Sequence, residues 1–237
     1  MTDFELKIQK FIEQLVDKGG YEQILQGLQN TLVIAICGFV IGIFIGTLIA
    51  VVRVFPKYKT LPKLLDGICS FYVGFFRGTP IVVQLLLFYY VLLPVLGFTR
   101  LDSISVAVLV FGMNSGAYIS EIMRGGILSV DPGQMEGGRS VGLSYGTTMI
   151  KIVIPQAIKN ILPTMGNEFI ALVKETSVVS FVGAMDLYKV FRTIGSRTYE
   201  YMVPYLVMAV IYIVLVMLIS VLVKAMERRL RKSDRGH

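Results

Sequence analysis

The sequence predicts an all-α integral membrane protein with about five transmembrane helices. Of its 237 residues, 54% are hydrophobic and only 16% are charged, and its mean hydropathy is +0.69, which lies outside the range of soluble domains. Runs of about 20 uncharged residues allow a helix to cross roughly 30 Å of hydrocarbon. A soluble helical core would need polar faces in such runs. The uncharged runs are 23–52, 78–99, 103–120 and 201–223.

The first 22 residues predict an amphipathic helix that lies in the membrane interface. Apolar side chains such as Phe4, Phe11 and Leu15 are interspersed with acids and bases, which is typical of interfacial helices. An ordinary solvated helix is the alternative. We expect this helix (1–22) to be followed by one membrane domain (23–226) and a basic cytoplasmic tail (227–237), since no linker or internal repeat divides the chain.

The placement of basic residues predicts the topology. Lysine and arginine cluster in three stretches, 53–63, 124–159 and 224–235, and basic loops face the cytoplasm. This explains the net charge of +7 better than nucleic-acid binding does. It puts the N-terminus outside and the C-terminus inside, which requires an odd number of spans. The predicted spans are about 28–53, 79–97, 101–125, 156–181 and 203–225.

Two of these spans have unusual features. The fourth carries Lys159, Glu168, Lys174 and Glu175, so it should face protein or water rather than lipid. The second is preceded by a more polar segment, 61–77, which we interpret as a helical lead-in at the cytoplasmic side or a continuation of the span. Thr79 is the predicted N-cap of the second span, with Pro80 at its first position.

A polar loop at 130–155 separates the third and fourth spans. It opens with turn residues around Pro132. A short helix is predicted over 134–141, ended by Gly142, and Pro155 is predicted to begin the next helix. A short helix between two spans suits contact with a cytosolic partner, and a merely solvated loop is the alternative.

This loop resembles the signature loop of ABC importer permeases, whose pattern is E-A-A-x3-G-x9-I-x-L-P. Gly137 and Gly138 stand where the pattern has alanine, and Ile154 stands where it has leucine. Segments 76–84, 117–126, 166–170 and 174–177 are similar to the polar amino-acid branch of the family, which includes histidine, glutamine and arginine permeases. The positions with matching spacing are Glu136, Gly142, Ile152 and Pro155.

The resemblance implies a type I importer fold and a subunit that moves a polar amino acid into a prokaryotic cell. It implies several partners: an ABC ATPase dimer that binds ATP and Mg, a second or sister permease, an extracytoplasmic amino-acid-binding protein and the lipid bilayer. No nucleic-acid partner is expected. The residues implied to couple transport to the ATPase are Glu136, Gly137, Gly138, Gly142, Ile152 and Pro155.

The chain itself carries no sequence signature of an energy source or a catalytic centre. It lacks a phosphate-binding Gly-x4-Gly-Lys-[Ser/Thr] loop, so energy must come from another subunit or an ion gradient. Cys37 and Cys69 form no CxxC motif, and His237 is the only histidine, which gives no support for metal, redox or histidine chemistry. A gradient-driven secondary amino-acid transporter is the alternative function, although we see no inverted repeat. A scaffold without transport activity would leave the polar residues in the spans unexplained.

Polar residues inside the spans are the candidates for substrate binding. Asn114, Tyr118 and Glu121 are spaced to lie on one face of a helix, and an intramembrane carboxylate such as Glu168 is costly unless paired or hydrated. Glu121 has a structural alternative, an ion pair with Arg124. Lys174 and Glu175 suit a gate or an outer ion pair as well as a ligand. The predicted substrate-binding residues are Gln84, Asn114, Tyr118, Glu121, Glu168 and Thr176.

Overall fold

The protein is described by a computed structural model that covers residues 2–56, 58 and 60–232. These residues form helices and loops without a strand, which confirms the predicted all-α fold. Lys57 and Lys59 of the first basic cluster, and 233–237 of the predicted tail, lie outside the described residues. The helices are α1 (Asp3–Val16), α2 (Gly20–Val54), α3 (Thr60–Gly78), α4 (Ile81–Leu87), α5 (Leu93–Val95), α6 (Ser103–Leu128), α7 (Pro132–Ser140), α8 (Tyr145–Thr148), α9 (Ile154–Glu175), α10 (Leu187–Thr198) and α11 (Met202–Lys232).

Three helices among the described residues are long and apolar enough to cross a membrane by themselves. They are Gly20–Val54, Ser103–Leu128 and Met202–Arg228, and α3 taken together with α4 and α5 gives a fourth. The predicted fourth span falls on α9, which does not reach this hydropathy because charged side chains interrupt it. A multi-pass membrane protein is therefore confirmed, whereas the number five stays a prediction.

The break between α3 and α4 differs from the predicted cap. Pro80, with an extended backbone, is the N-cap of α4, and it provides no side-chain hydrogen bond. The assignment of Thr79 as the cap is therefore wrong by one residue. Thr79 instead accepts hydrogen bonds from the Gln84 amide, at 2.9 Å to its backbone oxygen and 2.8 Å to its hydroxyl. Residues 61–77 belong to a helix of their own.

Two π-helical turns each precede a proline. They span Phe88–Leu92 and Met149–Val153, and each ends two residues before a proline, Pro94 or Pro155. Proline cannot donate the helical hydrogen bond and crowds the carbonyl four residues earlier. In both cases the residue before the proline donates to the carbonyl five residues back, so the wider turn accommodates the ring within a continuous helix.

The chain forms two compact units whose boundaries fall inside α2, α6, α9 and α11 and between α3 and α4. Unit 1 comprises 1–39, 79–111 and 171–218, and unit 2 comprises 40–78, 112–170 and 219–237. In unit 1, Phe11 of α1 is buried in a core with residues of α10 and Val203. Helix α1 begins with a capping box in which Thr2 and Glu5 exchange hydrogen bonds. Because Phe11 packs in this core, part of the apolar face of α1 contacts protein.

The start of α10 is fixed by a buried acid in unit 1. Asp186 is fully buried, caps α10, and accepts hydrogen bonds from the backbone N–H groups of Tyr188 at 3.1 Å and Lys189 at 3.0 Å. The Thr31 hydroxyl accepts from the Leu187 N–H at 3.1 Å, which ties this turn to α2. Burial raises the pKa of Asp186 to about 6, outweighing the two hydrogen bonds that lower it.

We expect Asp186 to make the free energy of unfolding fall as pH rises from about 4 to about 6. In this window the folded chain keeps a proton that the unfolded chain has released, and two pKa units correspond to roughly 3 kcal/mol. Asp186→Asn retains capping ability and removes this dependence. Thermal unfolding in detergent across the window measures the difference between the two proteins. Parallel pH profiles for both proteins would contradict the prediction.

Helices α2 and α6 pack through their backbones in unit 2. Each carries two glycines four residues apart, the spacing that lets membrane helices approach closely. A methyl group at Gly42 would lie 2.8 Å from Ser115, and one at Gly116 would lie 2.8 Å from Ile45. The other two glycines, which face Ile119 and Ile41 in the same way, are Gly46 and Gly112.

Candidate coupling helix and translocation site

Helix α7 is a short helix with well-formed ends. The Asp131 side chain caps it by accepting from the Gly133 N–H at 2.7 Å, and Pro132 occupies its first turn. It ends in a Schellman motif, in which Leu143 donates to the Gly138 carbonyl and Gly142 adopts φ +88°. This confirms the predicted short helix and its termination by Gly142. Glu136 is exposed on it.

The two glycines that replace the pattern's alanines have different surroundings. Gly137 is exposed, and a Cβ atom there would meet nothing within 4 Å. Gly138 is buried, and a Cβ atom there would lie 2.4 Å from Cγ2 of Thr148, a fully buried residue. The Thr148 side chain of the following helix thus occupies the space that an alanine methyl group at position 138 would need.

We expect alanine to have opposite effects at these two positions. Gly137→Ala should stabilise α7 by up to about 1 kcal/mol through helix propensity. Gly138→Ala should destabilise it by about 1–3 kcal/mol, because the methyl group overlaps Thr148. Thr148→Ser removes Cγ2 but keeps the hydroxyl that donates to the Ser144 carbonyl, and that hydroxyl oxygen lies 2.9 Å from the added methyl group, so it should partly rescue Gly138→Ala. Hydrogen exchange over 132–143 measures each effect. Equal protection in the two single variants would contradict the prediction.

The helix after the loop begins earlier than predicted. Ser144 caps α8 by accepting from the Thr147 N–H at 3.2 Å, and the chain stays helical through the π-turn into α9. The prediction that Pro155 starts this helix is wrong, since Pro155 and Ile152 both lie inside it. The serine cap was the sequence signal for the true start.

One face of α6 meets the end of α3, both in unit 2. Asn114 is buried and donates to the Phe76 carbonyl at 3.3 Å. The Arg77 guanidinium carbon lies 5.3 Å from the centre of the Tyr118 ring, within the range of a cation–π contact. Asn114, Tyr118 and, as described next, Glu121 therefore all contact residues 76–77.

Glu121 is the centre of an ion-pair network. Its carboxylate contacts Arg53, pairs with Arg124 at 2.8 Å, and lies 3.8 Å from Arg77. Asp66 adds a second acid, 3.9 Å from Arg53. The Glu121 side chain is 16% exposed and that of Arg77 is 44% exposed. The network favours the structural alternative for Glu121 and leaves Arg77 as the most accessible of its three arginines.

The remaining candidates differ in accessibility. Gln84 is buried, and its amide contacts Thr79, as described above. Thr176 is fully buried and donates to the Val173 carbonyl at 2.8 Å, where the 3₁₀ segment Thr176–Val182 begins. Glu168 on α9 is half-buried. Tyr118, Glu121 and Glu168 thus keep some exposed surface, whereas Gln84, Asn114 and Thr176 are enclosed by protein.

Comparisons with known proteins agree with this architecture. Residues 38–232 match the model of a family described as the inner membrane component of binding-protein-dependent transport systems. The arginine transport system permease protein ArtQ of Bacillus subtilis is 38% identical over 89% of this chain and 94% of its own. The L-cystine transport system permease protein TcyB of the same organism is 35% identical over 91% and 90%.

Solved structures give the same result. A chain from the crystal structure of an amino acid ABC transporter with histidines superposes with a TM-score of 0.82, at 39% identity, over 91% of this chain and 97% of that one. A chain of the MetNI methionine ABC transporter shares the fold, with a TM-score of 0.71 at 23% identity over 88% and 96%. The chain therefore belongs to the family of inner membrane components of binding-protein-dependent transport systems.

Proposed function

We propose that this chain is the membrane-spanning subunit through which an ATP-driven importer moves a polar amino acid into the cytoplasm. The observation that carries the proposal is α7, a capped helix with Glu136 exposed and Gly142 at its Schellman end. Membership of a binding-protein-dependent family favours ATP-driven import over the gradient-driven alternative. The amino-acid substrate is supported by the arginine and L-cystine permeases to which the chain is similar.

The proposed assembly places the chemistry of energy conversion on other subunits. An ABC ATPase dimer binds ATP with Mg and contacts α7 from the cytoplasm. A second copy of this chain or a sister permease completes the pathway, because the three or four long apolar helices found among the described residues are too few to enclose one. A binding protein delivers the amino acid at the opposite face. The N-terminus lies outside and the C-terminus inside, as the distribution of basic residues predicts.

The proposed domain organisation keeps the three predicted segments. Residues 23–226 form the permease domain, and 227–237 form a basic cytoplasmic tail. Helix α1 within 1–22 packs on α10 through Phe11. It also carries Phe4, Ile12 and Val16, which are about half or more exposed. We assign this exposed apolar surface to the membrane interface.

The proposed translocation site combines groups of opposite charge for a zwitterionic substrate. Glu168 suits the ammonium group, and the exposed guanidinium of Arg77 suits the carboxylate, since arginine binds carboxylates in a bidentate manner. Tyr118 supplies a ring beside Arg77. Asn114 holds the Phe76 carbonyl and thereby the end of α3. Glu121 is assigned to the supporting structure of the site, whereas Gln84 and Thr176 belong to unit 1 and are not assigned to this site.

Glu168→Gln should weaken substrate binding by about 10- to 150-fold, the equivalent of one charge-assisted hydrogen bond of about 1.5–3 kcal/mol. Direct binding to the detergent-solubilised permease complex, without the binding protein, is the measurement, because the binding protein can set the apparent affinity of uptake. Glu136→Gln, the same change on α7, is the matched control and should bind normally. Unchanged binding in Glu168→Gln and Asn114→Ala would place the site elsewhere.

The function itself is tested by reconstitution. Vesicles that contain this chain, its ATPase and its binding protein should take up a polar amino acid only when ATP is supplied on the ATPase side. An imposed proton or sodium gradient without ATP should give no uptake. Uptake that follows the gradient and survives ATP depletion would overturn the proposal in favour of a secondary transporter.

A further inference from the structure

Two side-chain contacts connect α7 to the helix that follows it, all within unit 2. Near the C-terminal end of α7, Gly138 lies directly against Thr148. Near its N-terminal end, the Gln134 side chain accepts a hydrogen bond from Gln156 Nε2 at 3.1 Å. Gln156 Nε2 also donates to the Ile152 carbonyl at 3.0 Å. The π-turn Met149–Val153 lies between these two contact residues of the following helix.

The π-turn brings these two residues onto one face. Eight residues of regular α-helix turn through about 800°, so Thr148 and Gln156 would point about 80° apart. A π-turn accommodates one additional residue. The same eight residues then complete about 700°, within about 20° of two full turns. Both side chains are thereby directed towards α7.

We propose that the π-turn aligns Thr148 and Gln156 so that both contact α7. These two contacts clamp α7 to the continuous helix formed by α8, the π-turn and α9, so that α7 and this helix move as one body. Thr148 and Gln156 are positioning residues for coupling in this proposal. A movement imposed on α7 then reaches α9, which carries Glu168, instead of being absorbed by the loop 141–144. The inference rests on the proposed function, because it assumes that a partner ATPase displaces α7.

A disulfide between the clamped positions tests the rigid-body motion. A Cβ atom at Gly138 would lie 3.2 Å from Cβ of Thr148, a few tenths of an ångström short of the roughly 3.5–4.5 Å of disulfides. Gly138→Cys with Thr148→Cys is made in a Cys37→Ser, Cys69→Ser background. We expect the oxidised complex to take up substrate at least as fast as the reduced one, because the disulfide keeps this clamp closed. Uptake that stops on oxidation and returns with a reductant would overturn the proposal.

Shifting the register gives the complementary test. Inserting one alanine after Ile150, an exposed residue of the π-turn, should add about 100° between Thr148 and Gln156 and turn their side chains onto different faces of the helix. We expect about tenfold less substrate moved per ATP hydrolysed, a loss of the size that one discrete contact contributes to coupling. Ile150→Ala keeps the residue count and should retain the wild-type ratio.

A third variant guards against misfolding of the insertion variant. Gln134→Ala combined with Gln156→Ala leaves the register intact, releases one clamp and should lower the same ratio. A wild-type ratio in both the insertion variant and the double variant would overturn the inference. Absence of ATP-dependent uptake in the wild-type complex would instead overturn the proposed function, and the inference with it.

Discussion

Gly142→Val is expected to abolish ATP-driven uptake while the chain still inserts into the membrane. Gly142 has φ +88°, a conformation that costs a β-branched residue about 1–3 kcal/mol or more. The Schellman hydrogen bonds of Gly142 and Leu143 satisfy the last carbonyls of α7. Valine therefore loosens the end of the helix at the surface assigned to the ATPase. Basal ATP hydrolysis should persist without stimulation by substrate.

Glu136→Lys is expected to give the same phenotype by a different route. Glu136 is exposed, and its backbone carbonyl accepts a hydrogen bond from the Ser140 hydroxyl. Reversing its charge changes the contact surface without altering the helix. Substrate-stimulated ATP hydrolysis and uptake in reconstituted vesicles measure both variants, with Gly137→Ala as the control. Normal values of both activities in both variants would refute the coupling role of α7.

Glu121→Gln is expected to destabilise the protein by up to about 3 kcal/mol, because removing the shared acid of a partly buried ion-pair network leaves uncompensated charge. Arg53 and Arg124 lose their shared acceptor, and only Asp66, 3.9 Å from Arg53, remains as an acid in the network. Thermal unfolding in detergent measures the loss. The unfolding temperature should fall by several degrees.

The control for this variant is Glu136→Gln, the same chemical change at an exposed position, which should leave the unfolding temperature unchanged. Arg77→Ala should have a small effect, because its side chain is 44% exposed and 3.8 Å from Glu121. Equal stability of Glu121→Gln and wild type would show that the network contributes little to the fold. Glu121 would then return to the list of substrate ligands.

The sequence was most informative where local chemistry decides the structure. Asp131, Pro132 and Gly142 act within one turn of α7, so their effects could be predicted from neighbouring residues alone. The same local reasoning failed at Pro155. A proline is favourable at a helix start, but a π-turn inside a continuous helix also accommodates it, as Met149–Val153 does here.

Longer-range features could not be predicted in this way. Arg53, Arg77 and Glu121 are far apart in sequence. Arg53 was informative only about topology, and Arg77 only as part of the segment 76–84. The contact of Asn114 with Phe76 likewise depends on how α3 packs against α6. The paired glycines of α2 and α6 did carry a recognisable spacing, but that spacing by itself does not identify which two helices meet.

The glycine contacts between α2 and α6 imply that lipid, rather than water, competes for this interface. Acyl chains are as apolar as the helix surfaces, so the pair gains no hydrophobic free energy by leaving them. What holds it is the close approach allowed at Gly42 and Gly116, which lipid tails cannot match in packing density. The strength of this helix pair is therefore set by the order and thickness of the surrounding acyl chains, and osmolytes that act on water should leave it unchanged.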